Sequence, residues 1–120
     1  GAQDLAAARQ FVSAQAATFG LVDNQIGDVA LVVTELITNS IEHGAGQARL
    51  RVWTDGSRLL CEVFDKGWFS DRLAGLRPAP ADQPHGRGLL LVNSLADLVT
   101  LHVDEHGTAI RAHFGRGRGE

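Results

Sequence analysis

Two side chains four residues apart, Glu35 and Asn39, stand in the run Thr34-Glu35-Leu36-Ile37-Thr38-Asn39-Ser40-Ile41-Glu42-His43-Gly44. On a helix that spacing puts a carboxylate and a carboxamide on one face. Magnesium takes hard oxygen ligands, usually only one or two from protein, and lets phosphates and waters complete its shell. An asparagine oxygen beside a carboxylate that can orient and deprotonate a hydroxyl is therefore a compact phosphoryl-transfer pair. Polar residues at this spacing are more often only the wet side of an amphipathic helix. The pair alone does not separate the two readings, so the rest of the chain must.

Asp65 is the second candidate. It continues the alternation Leu59, Cys61, Val63 and so shares the apolar side of its strand, where a carboxylate is costly unless hydrogen bonds reach it. The exocyclic amine of adenine is a suitable donor, and Gly67 has no side chain to block a flat base; equally, Asp65 could simply open a turn. The third is His85-Gly86-Arg87-Gly88, ahead of a helix. Two glycines free backbone amides, and a helix start favours anionic phosphate, with Arg87 as an added cation. It is neither a Walker loop nor a dinucleotide fingerprint, and taken alone it reads equally as a flexible hinge. The fourth and weakest is Gly107-Thr108, whose hydroxyl could meet a base through water but which also serves as an ordinary hairpin. His102, His106 and His113 lack the spacing and thiol partners of a zinc site and read as surface residues. No Gly-x-Ser-x-Gly elbow or Cys/His arrangement suggests a covalent hydrolase.

These residues need elements to position them. Residues 4–19 read as a first helix, with Leu5, Ala8, Phe11 and Val12 at helical spacing, Asp4 placed to cap and Gly20 to end it. A second helix starts at Asp23 or Asn24 and runs to about His43, stopped by Gly44. At about 100° per residue, Ile26, Val29, Ala30, Val33, Ile37 and Ser40 fall on its packing side, and Asp28, Glu35, Asn39 and Glu42 on the other. Residues 47–53 and 58–65 alternate as strands around a turn at Thr54-Asp55-Gly56-Ser57. The stretch 68–85, with Pro78, Pro80 and Pro84, follows neither period and reads as a lid or binding loop. A third helix from Arg87 to about Leu98 and strands at 99–104 and 108–114 complete the order, with a loose tail at 115–120. Paired strands without regular strand-helix alternation predict an α+β two-layer sandwich, a mostly antiparallel sheet with three helices on one face.

A chain of 120 residues makes one domain with a real core, spanning residues 1–120. The formal net charge of -3 argues against a general grip on nucleic acid, which needs a basic face. The single cysteine, Cys61, excludes an internal disulfide framework and reads as a small core residue. No apolar run approaches the roughly 18 residues of a membrane span, and no signal peptide precedes the first helix. The expected location is cytoplasmic.

Glu-x-x-x-Asn on a helix, Asp-x-Gly after a strand, a lid, Gly-x-Gly before a helix and Gly-Thr on the last strand form a specific order. It resembles the nucleotide-binding (Bergerat) fold shared by DNA gyrase, heat-shock chaperones, histidine kinases and mismatch-repair ATPases. Within that superfamily the chain looks most like the anti-sigma-factor serine kinases of bacterial partner-switching systems. The likeness includes Phe19-Gly20-Leu21, the run Leu31 to Ser40, and Gly86-Arg87-Gly88-Leu89-Leu90-Leu91-Val92. The resemblance implies ATP and Mg2+ as cofactors, with Asn39 holding the metal on the ATP phosphates and Glu35 as base towards the incoming hydroxyl. It implies that Asp65 reads adenine beside Gly67 and Thr108, and that Gly86, Arg87 and Gly88 line the phosphates under the lid. His43 and Leu89 join the same nucleotide-binding set.

The resemblance further implies a serine on an anti-anti-sigma (STAS-type) protein as substrate and a sigma factor as second partner, with no direct nucleic-acid or membrane contact. Two departures stand out. The superfamily's Asp-x-Gly-x-Gly becomes Asp65-Lys66-Gly67-Trp68-Phe69, and an aromatic at the lid hinge is expected to stiffen it or partly cover the base site. The chain also begins almost inside the first helix, without the strand that usually precedes it: either it is a piece of a longer protein, or the sheet has an open edge, which invites a homodimer. An intact Glu35 favours the serine kinase. The alternatives are a nucleotide-binding module of a larger sensor or phosphatase with little kinase activity, and the catalytic domain of a histidine kinase.

Overall fold

The computed structural model describes residues 2–45, 47–67 and 84–116. Their order is α1 (Ala2–Phe19), α2 (Asp23–His43), β1 (Arg49–Asp55), β2 (Arg58–Asp65), α3 (Pro84–Leu95), β3 (Leu98–Asp104) and β4 (Gly107–Gly115). The strands form one antiparallel sheet in the order β1-β2-β4-β3, as the α+β reading requires.

Alternation along the central strands decides which face the helices cover. Leu59, Cys61, Val63 and Asp65 of β2 point inward, opposite Phe114, Ala112, Ile110 and Thr108 of β4. Against them α2 lays Val29, Val32, Val33 and Leu36, all fully buried, and α1 adds Val12 and Ala16. Burying each of the larger side chains contributes about 1.5–3 kcal/mol. This stripe, rather than helix propensity, fixes α2 on the sheet, because three of its four residues are β-branched valines.

Several boundaries differ from the sequence reading. Helix α1 begins before Asp4, so Asp4 lies in the first turn and favours the positive end of the helix dipole instead of capping it. The first hairpin pairs Asp55 with Arg58, so its turn is Gly56-Ser57, one residue later than expected. Helix α3 starts at Pro84 and ends at Leu95, three residues earlier at both ends than expected. A proline at the first helical position is favourable because its missing N–H needs no partner there. The expected tail shortens too. Gly115 ends β4, and Arg116 is held by its amide on Ser57 O at 3.4 Å and its guanidinium on Gly56 O at 3.1 Å.

Cys61 is wholly buried among the core residues, and burial pushes its thiol up to about 12. The thiolate is the reactive form. We expect Ellman's reagent at pH 8 to label native protein only at the rate of unfolding, and denatured protein at once; fast labelling of the native form would contradict this core.

Candidate functional site

Asp65 lies at the inner end of β2, fully buried, facing the C-terminal end of α2. Its donors include the Ser40 hydroxyl, which reaches Oδ2, and the amides of Ala45 and Gly67, at 2.7 and 2.6 Å from Oδ1. These bonds offset the several kcal/mol that a buried bare carboxylate would cost. The protein thus satisfies much of this carboxylate itself, and its burial does not by itself require a base.

Close backbone approach makes the arrangement possible. A Cβ on Gly44 would lie 2.7 Å from the Asp65 carboxylate, and one on Gly67 would lie 2.7 Å from the Ala45 nitrogen. Gly44 therefore ends α2 for a different reason from the one expected. Its backbone is extended, with φ −103°, and any residue could adopt it; the neighbouring carboxylate is what leaves no room.

Asn39 precedes Ser40 on α2. It is buried at 6% exposure, although the helical wheel placed it on the open side with Asp28 and Glu42. Its Nδ2 donates to the Glu35 carbonyl one turn back at 3.0 Å, which turns Oδ1 away as the atom available to a cation. The Glu35 side chain is half-buried on the same face. His43 closes the helix, half-buried, with Nε2 3.5 Å from Glu42. Thr108 is buried and pairs directly with Asp65 across β2 and β4. Asn39, Ser40, Asp65, Gly67 and Thr108 therefore meet at one end of the helix–sheet interface.

Gly86, Arg87, Gly88 and Leu89 were expected just before a helix and at its start. They lie within the first two turns of α3, which packs against α2. In a helix beginning at Pro84 the amides of His85 and Gly86 have no partner inside the helix, whereas Arg87 and Gly88 enter the ladder. The first two are the groups suited to an anion. The expected lid, 68–85, lies outside the described residues at 68–83, as does Phe69; Pro84 and His85 are the first residues of α3.

Sequence reasoning missed Ser40 as the partner of Asp65. The signal for Ser40 was a hydroxyl on the apolar side of α2. Among the described residues no cluster of three or more His, Cys, Asp or Glu could hold a metal alone. A cation beside Asn39 would need oxygens from a ligand, and the set at hand fits a purine nucleotide: an amide oxygen, helix-start amides and a fixed carboxylate. No described helix is long and apolar enough to cross a membrane.

This constellation on a helix-backed antiparallel sheet defines a nucleotide-compatible class of domain. Residues 2–114 match the model of the histidine kinase-like ATPase domain, and the chain belongs to that family. A comparison with curated proteins finds no match.

Proposed function

We propose that the domain binds ATP with Mg2+ and phosphorylates a serine on an anti-anti-sigma, STAS-type partner, and that it also holds a sigma factor. The observation that carries the reading is the link between Ser40 and Asp65, which sets the carboxamide of Asn39 one residue from the anchor of a buried carboxylate. When bound, Mg2+·ATP supplies the transferable phosphoryl group and the charge that neutralises its oxygens. Asn39 Oδ1 ligates the cation. Asp65 accepts from the adenine amine with Thr108 beside it, and the first-turn amides of α3 take phosphate oxygens. Glu35 accepts the proton of the incoming serine hydroxyl as the new P–O bond forms and ADP departs.

Calorimetry with and without magnesium, followed by phosphoserine detection on a STAS-type protein, tests this. Asn39→Ala should abolish magnesium-dependent ATP binding. Glu35→Ala should bind ATP nearly as well as the parent and lose transfer by about a hundredfold or more. Equal transfer rates in parent and Glu35→Ala would remove the base from the scheme. A second reading, nucleotide binding that switches partners with little catalysis, draws on Phe69 in place of the superfamily's glycine; ATP binding without any phosphoserine would favour it.

A further inference from the structure

The sheet face opposite the helices carries an organised cationic array. Register places Arg49, Phe64, Ala109 and His102 in one row across the strands, and Arg51, Glu62, Arg111 and Thr100 in the next. Glu62 is buried at 5% exposure, with Arg51 Nε 3.1 Å from Oε1 and Arg111 Nε donating to Oε2 at 2.6 Å. The same two guanidiniums lie over Trp53, 4.9 and 5.3 Å from its ring centroid, and Arg49 lies 4.9 Å from that of Phe64. Two arginines thus hold one carboxylate and a third lies in the adjacent row, on a chain whose formal charge is -3.

Their geometry is preset. Arg51 and Arg111 spend Nε on Glu62, and their Nη groups make no bond among the described residues. Arg49 is exposed and has no acidic partner there. Packed guanidiniums lose little further freedom when they bind, and their planar forks match carboxylates. His113, in the next row, is held below its ordinary 6.5 by partial burial first and then by Arg58, with lesser contributions from Arg111 and His102, against an opposite pull from Asp55. The arginines therefore supply the positive charge near neutral pH. A shallow hollow of about 490 Å³ lies against Arg51, Val52 and Trp53.

We infer that this open sheet face is a docking surface for an acidic segment of another protein, rich in Asp and Glu. Charge complementarity selects that occupant. Nucleic acid is disfavoured because the two aromatic rings, which would have to stack bases, are already covered by guanidiniums. Four strands about 4.8 Å apart make a face only some 15–20 Å wide, so the complex is a weak, fast-exchanging one. It needs no nucleotide and stands apart from the proposed kinase activity.

A labelled glutamate-rich peptide, titrated into the whole domain without ATP, tests the inference, with a lysine-for-glutamate peptide as control. Binding should weaken with salt, shift the indole N–H resonance of Trp53, and fall about tenfold in Arg49→Glu and less in Arg49→Gln. Arg9→Glu on α1, on the helical side of the domain, should leave it unchanged. The inference is overturned if the glutamate peptide does not bind, if Arg49→Glu leaves binding intact, or if the lysine peptide binds equally. It also fails if a single-stranded oligonucleotide binds this face more tightly, or if the face proves to be a self-association surface by sedimentation.

Discussion

Asp65→Ala is expected to lower folding stability by about 3 kcal/mol or more, read from the urea midpoint. The truncation strands the Ser40 hydroxyl and the amides of Ala45 and Gly67, all of which now donate to the carboxylate. Asp65→Asn separates this role from ligand recognition. Its oxygen can keep the Ala45 and Gly67 amides, and the Ser40 hydroxyl can turn to accept from the new NH2 group. Its stability should therefore stay within about 1 kcal/mol of the parent. Under the proposed function it should still lose most of its ATP affinity, because an acceptor has become a donor where the adenine amine arrives. If Asp65→Asn bound ATP like the parent, the carboxylate would be a purely structural joint. If Asp65→Ala were as stable as the parent, the account of the joint itself would be wrong.

Gly107→Ala is expected to lower stability by a similar amount, about 3 kcal/mol, and the melting temperature by on the order of 10 °C. Gly107 has φ +150°, a region that L side chains rarely adopt. A Cβ there would meet the Asp65 carbonyl oxygen at 2.6 Å and the Lys66 Cα at 2.9 Å, and backbone cannot swing aside as a side-chain tip can. The strain falls on the residues that carry the Asp65 carboxylate, so nucleotide affinity should drop together with stability. A differential scanning measurement that found Gly107→Ala as stable as the parent would show that the β3–β4 turn relaxes freely.

Most of the framework was legible because local pattern and tertiary packing agree along it. In β2, Leu59, Cys61, Val63 and Asp65 share the helix-facing side as their alternation gave, although Leu60 and Glu62 between them are buried too, and the strand has the expected limits. The long helix carries its own start and stop, and its stripe of valines faces the sheet. The third helix was misread at its start because Gly86 and Gly88 have low intrinsic helix propensity; a favourable Pro84 and packing against α2 outweigh it. In the site, Glu35, Asn39 and Asp65 stood out by type and spacing. What the chain order could not disclose was distance across the fold: Ser40 is 25 residues from Asp65 in sequence, and nothing local joins them. The burial of Asn39 was missed for a related reason, since a wheel knows the period of one helix but not how wide a stripe its neighbours cover.

Helix α2 is tied to the sheet at both ends by polar side chains. Near its start, Gln25 accepts from the Val22 amide at 3.1 Å and donates to Gly115 O at 2.9 Å; near its finish, Ser40 holds Asp65. A rod fastened at two points can neither slide lengthwise nor roll without breaking one fastening. Under the proposed function, the span from the Asp65 carboxylate to the Asn39 oxygen would then act as a fixed gauge, turning away molecules by dimension before any charge is weighed.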